Sequence, residues 1–253
     1  MRQVTAKPKA LTDAPFHYCP GCTHGIIHRL LAETLDEFGL TENAIGIASV
    51  GCSVFAYDYF NCDMQQAAHG RAPAVATGIK RVRPQNFVFT YQGDGDLGSI
   101  GIGETIHAAN RGENITIIFV NNAVYGMTGG QMAPTTLLGQ KSSTTPTGRS
   151  IGEHGYPLPV SELLQALPGA AYVARTTVTS PSQIRITKRA LAQAFQAQIQ
   201  GRGLGLVEIL STCPVNWHMD PVEALTFINE EMVAQFPLGV FKDFDEEVAR
   251  DGK

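Results

Sequence analysis

Gly93-Asp94-Gly95-Asp96 and Asn121-Asn122 are the residues whose types and spacing carry most chemistry in this chain. Each group falls where a hydrophobic run that reads as a strand stops: Asp94 follows Phe87 to Tyr91, and Asn122 follows Ile115 to Val120. At the carboxyl edge of a parallel sheet they would put a carboxylate and an amide oxygen side by side. Two such hard donors suit Mg2+, which keeps few protein ligands and completes its octahedral shell with phosphate oxygens. A metal-bound pyrophosphate is the implied ligand.

Gly93 to Gly98 also satisfies the G-x-G-x-x-G dinucleotide fingerprint. There a bare pyrophosphate would meet two aspartates, each repelling it by roughly 4 kcal/mol at an effective dielectric of about 20. A bound cation reverses that sign. The acid that the fingerprint wants at the end of the next strand is also displaced, since Glu113 precedes that strand. An ordinary polar turn after a core strand is the bland alternative.

The cysteines form a second constellation. Cys19-Pro20-Gly21-Cys22 is a C-x-x-C pair, Cys52 follows the strand expected at Ala44 to Val50, and Cys213 follows the one expected at Gly205 to Leu210. Two of the four would therefore share the sheet edge with Asp94 and Asn122. Four thiolates suit a [4Fe-4S] cluster or a structural zinc, and the spacing leaves both open, because a zinc ribbon prefers two C-x-x-C knuckles. Isolated cysteines also serve as small core residues. His69-Gly70-Arg71, just before a helix starting near Ala72, could meet an anion, although a lone histidine is commonly structural.

Elements able to position these residues alternate along the chain without a repeat. Strands are expected near 45–50, 87–91, 115–120, 171–175 and 205–210, and helices at Gly25 to Phe38 and near 73–82, 99–111, 160–166 and 182–200. This is the pattern of an α/β, doubly wound, mainly parallel sheet. A single domain over residues 1–253 is expected, with a cysteine-containing arm (1–24) and a helical extension (221–253) that ends in an acidic tail including Asp243 to Glu247. The stretch Gly126 to Gly155, rich in Gly, Thr, Ser and Pro, reads as a functional loop because it begins at the metal site.

The 253 residues are 43% hydrophobic with 26 glycines, enough for a sizeable core with many tight turns. A net charge of −4, with no basic run beyond Lys80 to Arg83, disfavours nucleic acid as a partner. No stretch approaches a membrane span, and Met1 to Thr12 lacks an apolar signal core, so a cytoplasmic protein is expected. In that reducing compartment the 5 cysteines read as ligands rather than disulfides.

Gly-Asp-Gly followed by Asn-Asn resembles the thiamine diphosphate motif, and Asn121-Asn122-Ala123-Val124-Tyr125-Gly126-Met127-Thr128-Gly129-Gly130-Gln131 resembles the version in 2-oxoacid:ferredoxin oxidoreductases. His69-Gly70-Arg71 with Ala76-Thr77-Gly78-Ile79-Lys80, and the C-P-G-C pair with two later cysteines, are similar to that family's β subunit of the 2-oxoisovalerate and 2-oxoglutarate type. The resemblance implies a thiamine diphosphate-binding fold, with Mg2+ on Asp94, Asn122 and the Val124 carbonyl. It places the cofactor against Val50, Gly51, Cys52, Ser53, His69, Gly95, Asp96, Gly126 and Met127, with His69 and Met127 nearest the chemistry. It assigns Cys19, Cys22, Cys52 and Cys213 to one [4Fe-4S] cluster, gives Cys62 no role, and leaves His24 a weaker candidate.

The implied reaction is oxidative decarboxylation of a 2-oxo acid, with electrons passed to the cluster and the acyl group to coenzyme A. The glutamate that activates the aminopyrimidine would come from an α subunit. With no C-x-x-C-x-x-C run here, γ and ferredoxin-like δ subunits would relay electrons to ferredoxin. Apolar Val54, Phe55 and Met127 favour a branched aliphatic substrate over 2-oxoglutarate. The alternatives are a cluster-free thiamine-dependent decarboxylase or ligase, and a non-enzymatic scaffold with a four-cysteine zinc site.

Overall fold

A computed structural model of the chain describes residues 6–244. The strands are β1 (Ala44–Ala48), β2 (Asp63–Gln66), β3 (Phe87–Gly93), β4 (Thr116–Asn121), β5 (Val124–Tyr125), β6 (Gln131–Met132), β7 (Ala170–Thr177), β8 (Leu204–Leu210) and β9 (Gly239–Lys242). The helices are α1 (His24–Glu37), α2 (Ala56–Tyr59), α3 (Ala72–Val82), α4 (Ile102–Asn110), α5 (Ile151–His154), α6 (Val160–Gln165), α7 (Pro181–Ile199), α8 (Pro214–Trp217), α9 (Pro221–Phe227) and α10 (Val233–Gln235). Seven strands form one sheet in the order β2-β1-β3-β4-β8-β7-β9, parallel throughout except where β9 runs antiparallel to β7. Strands β5 and β6 form a separate small hairpin.

Burial on both faces explains why the inner strands read as continuous apolar runs. Along β3, Phe87, Phe89 and Tyr91 enter a core shared with Ile27, Leu31 and Leu35 of α1 and Leu191, Ala194 and Phe195 of α7. The opposite register, Val88 of β3 with Ile117 and Phe119 of β4, packs on Ala76 of α3, Ala108 of α4 and Leu164 of α6. Helix α7 starts where the Ser180 hydroxyl accepts from the Gln183 amide and Pro181 sets the first turn. Its Phe195 ring lies 4.3 Å from that of Phe87. Burying one such ring contributes about 2–3 kcal/mol. A third core of Trp217, Ala224, Ile228, Met232 and Phe236 gathers under Ala123, Val124 and Leu210, so the helices from α8 onward buttress the carboxyl edge of the sheet.

Four features depart from the expectations. Edge strand β2 was not expected, because Asp63, Gln65 and Gln66 are exposed and leave no apolar run. The helix expected at 99–111 begins earlier, as a π-helical turn over Gly95–Ile100 capped by Asp94, before α4 proper. The extension from Pro221 is helical through Gln235 but then turns back as β9. Of the acidic run expected there, 245–247 lies outside the described residues. The 126–155 stretch holds β6, which pairs back on β5, the short α5 and an anchor at Arg149, whose guanidinium donates to the carbonyls of Pro134 (2.8 Å), Thr136 (2.7 Å), Gly155 (3.0 Å) and Tyr156 (2.7 Å). Among the described residues no helix is long and apolar enough to cross a membrane.

Candidate functional site

The ends of β1, β3, β4 and β8 are neighbours on one edge, and each delivers a predicted residue there: Cys52, Asp94, Asn122 and Cys213. Asp94 is 3% exposed. Its Oδ1 accepts from the Gly95 amide and its Oδ2 from the Thr135 hydroxyl, both at 2.8 Å. These bonds offset only part of the desolvation, and burial pushes the carboxyl up to about 7. The groups that set its titration include no cationic side chain. A buried carboxylate in that position is what a small divalent cation would neutralise.

Past β4 the chain makes a turn that aims oxygen donors at the same spot. Asn121 Oδ1 accepts from the Ala123 amide at 3.1 Å, and Ala123 takes the left-handed conformation at φ 58°. Asn122 Oδ1 lies 3.4 Å from the Val124 amide, while its carbonyl accepts from Trp217 Nε1 at 3.1 Å. Tyr125 then folds over Gly95 so closely that a Cβ there would lie 2.2 Å from its ring, which requires glycine at 95. The expected Mg2+ donors Asp94, Asn122 and Val124 line one cavity of about 170 Å³, together with Val50, Gly51, Cys52, Ser53, His69, Gly95, Asp96, Gly126 and Met127. A buried acid, an amide oxygen and a carbonyl are a donor set that fits Mg2+ with a diphosphate.

Asp96 lines this cavity, yet its oxygens are already engaged. Oδ2 accepts from Gln92 Nε2 at 2.7 Å, and Oδ1 from the Gly70 amide at 2.7 Å and His69 Nδ1 at 2.6 Å. The carboxylate therefore orients the imidazole and leaves Nε2 for a ligand. Arg71, at the same turn, is ion-paired with Glu104 and does not line the cavity. Glu113, the acid of the dinucleotide reading, sits just before β4 in ion pairs with Arg81 and Arg111, remote from the carboxyl edge.

The second constellation is assembled by the arm. Thr23 Oγ1 shares a 2.7 Å hydrogen bond with Ser211 Oγ, and Thr212 Oγ1 donates to the Gly21 carbonyl at 2.7 Å, which fastens the C-x-x-C turn to the segment before Cys213. Cys19, Cys22, Cys52 and Cys213 then line one cavity of about 220 Å³. Burial pushes the Cys22 and Cys52 thiols up to about 12 and raises Cys213 as well. Gly126 wedges between two of them: a Cβ there would sit 3.2 Å from Cys52 Sγ and 3.5 Å from Cys213 Sγ. His24, which lines both cavities, is held neutral by burial, down to about 3, with Nδ1 2.7 Å from the Tyr91 hydroxyl. Among the described residues no group of three His, Cys, Asp or Glu side chains is placed to hold a metal ion, and the four thiols share the lining of one cavity. Four soft thiol donors around such a cavity fit an iron–sulfur cluster. Cys62 stands apart, packed in the first core beside Met64.

Residues 49–209 match the family of thiamine pyrophosphate enzyme C-terminal domains that bind thiamine pyrophosphate. The ketoisovalerate oxidoreductase subunit VorA of Methanothermobacter thermautotrophicus is 50% identical over 96% of this chain and 53% of its own length. The 2-oxoglutarate synthase subunit KorB of Methanocaldococcus jannaschii is 36% identical over 92% of this chain and 83% of its own. The chain belongs to the thiamine-binding subunits of the 2-oxoacid:ferredoxin oxidoreductases. It spans about half the length of the VorA relatives it matches. Its fold is shared with 2-oxoglutarate:ferredoxin oxidoreductase from Magnetococcus marinus, solved with 2-oxoglutarate, coenzyme A and succinyl-CoA bound, at a TM-score of 0.75 and 26% identity over 99% of this chain and 91% of that one.

Several residues of this family member's site escaped the sequence reading. Thr135, 41 positions from Asp94, was invisible because only the fold brings its hydroxyl to the carboxylate. Asn121 looks away from the cavity: its Nδ2 donates to Glu208 at 2.8 Å, and Glu208 accepts in turn from Ser161 and from the fully buried Arg175. The turn after β4 is thus braced from behind by a buried ionic network. Asn216 and Trp217 left a faint trace, being polar-tipped residues three and four positions after a ligand-type cysteine.

Proposed function

We propose that the chain is the thiamine diphosphate-binding β subunit of a 2-oxoacid:ferredoxin oxidoreductase, carrying a [4Fe-4S] cluster on Cys19, Cys22, Cys52 and Cys213. The carrying observation is a shared wall: His24, Cys52, Asn122, Gly126 and Met127 line both the cavity of Asp94 and the cavity of the four thiols. One layer of residues between them suits direct passage of electrons. Bound thiamine diphosphate would supply the carbanion chemistry that adds to a 2-oxo acid and releases carbon dioxide.

The chain's own residues do the rest. Asp94, Asn122 and the Val124 carbonyl offer oxygens to Mg2+, and the buried Asp94 charge gains most from that ion. His69, fixed by Asp96, presents Nε2 for proton exchange with the bound ligand. Met127, 48% exposed, walls the mouth of both cavities. The acidic side chains lining the thiamine cavity are Asp94 and Asp96, both with other duties, so the activating glutamate comes from an α subunit. Further γ and δ subunits pass electrons to ferredoxin, coenzyme A accepts the acyl group, and the complex works in the cytoplasm. Greater identity to the ketoisovalerate oxidoreductase subunits, 50% and 52% against 36%, and the apolar Met127 support a branched-chain 2-oxo acid as substrate.

Anaerobic purification with the subunits that accompany the chain, followed by iron, sulfide, zinc and thiamine analysis, tests this reading. Iron and sulfide together with thiamine support it; zinc alone, or thiamine without iron, contradicts it. Cys213→Ala should abolish reduction of ferredoxin or a viologen dye while thiamine stays bound. Intact electron transfer in that variant would overturn the cluster assignment.

A further inference from the structure

Helix α8 carries a contact that neither cavity requires by itself. Asn216 Nδ2 donates to the Gly126 carbonyl at 2.8 Å and to Cys213 Sγ at 3.2 Å. The two hydrogens of one amide nitrogen thus go to two different sites, one on the cofactor loop and one on a cysteine sulfur. A flipped amide would set Oδ1 against a carbonyl oxygen and a sulfur, so the orientation is determined.

Close packing holds this side chain in place. Gly130, at φ 78°, lies against it so tightly that a Cβ would come 2.9 Å from Asn216 Cβ. The next residue, Trp217, holds the Asn122 carbonyl at 3.1 Å. Helix α8 therefore grips both ends of the 122–126 turn, the same turn that offers oxygens to the metal, while its first residue follows Cys213 directly.

Building on the four-cysteine cluster proposed above, we infer that Asn216 is a positioning residue that sets the reduction potential of the group bound at Cys213 and ties it to the loop carrying the thiamine site. An N–H aimed at a ligating sulfur stabilises the extra negative charge of the reduced state and so raises the potential. The partner hydrogen bond keeps the Gly126 carbonyl from being stranded, which makes the loop's position depend on the same amide.

The complex carrying Asn216→Leu or Asn216→Asp is purified anaerobically beside the wild type. Iron, sulfide and thiamine content are measured, the midpoint potential is read by a titration followed by electron paramagnetic resonance, and thiamine diphosphate is titrated back into stripped protein. The expected result for Asn216→Leu is full iron and sulfide with a potential shifted negative, by up to about ten-fold in the reduction equilibrium, which is 59 mV for a one-electron couple. Asn216→Asp should shift it further in the same direction, because a carboxylate replaces the donor, and both variants should bind thiamine diphosphate more weakly. Wild-type potentials in iron-replete variants overturn the inference. Loss of iron from both variants also overturns it, since the amide would then merely support assembly. A wild type without iron removes the cluster reading itself, and the inference with it.

Discussion

Burial of Asp94 links protonation to stability in a way that can be measured. Its ordinary carboxyl value of 3.8 is raised to about 7 by burial. At about 1.4 kcal/mol per unit, the folded chain without a cation is penalised by about 4 kcal/mol once the pH exceeds 7. The sign follows from the direction: the protonated acid is tolerated below about pH 4, and stability is lost as pH rises from there through about 7. His24, held down to about 3 from 6.5, acts oppositely, making the fold less stable as pH falls from 6.5 toward 3. Asp94→Asn isolates the carboxylate. After removal of Mg2+ and thiamine with a chelator, thermal unfolding at pH 7.5 should show Asp94→Asn above the wild type by about 10 °C, a gap that closes by about pH 4. Restoring Mg2+ and thiamine diphosphate should raise the wild type and leave the variant unmoved. Parallel pH profiles of the two stripped proteins, or equal stabilisation of both by the ligands, would refute the reasoning.

Arg149→Met removes the guanidinium that holds the carbonyls of Pro134, Thr136 and Tyr156. A loss of about 3 kcal/mol and rapid protease cleavage within 126–155 are expected, checked by urea unfolding and limited proteolysis. Asp96→Asn keeps the shape but weakens the partner that orients His69. Turnover should fall about 100-fold with thiamine still bound, as steady-state kinetics and cofactor analysis would show.

What could be read in the sequence was what depends on burial and on chain order. The inner strands announced themselves because β3, β4, β7 and β8 are buried almost throughout and so are mostly apolar, broken in β7 and β8 by the buried pair Arg175 and Glu208. Asp94 and Asn122 were legible because each sits where such a run ends, and parallel strands bring their ends together. β2 was hidden because three of its four residues face water. β9 was hidden by its brevity and its entry at Gly239. Thr135 and Glu208 were hidden for a different reason: their partners are distant in sequence, and one dimension gives no spacing to find them. Glu104, the ion-pair partner of Arg71, was likewise not foreseen.

The two outermost strands bear on how the subunit keeps company with copies of itself. One rim of the sheet shows water the carboxylate and amides of Asp63, Gln65 and Gln66, and the other is four residues long and begins on a glycine. Rims of this kind discourage end-on zippering into fibrils. Self-association by ladder growth is thereby suppressed even where the polypeptide is abundant, because neither rim offers a long, flat, apolar backbone for another copy to extend.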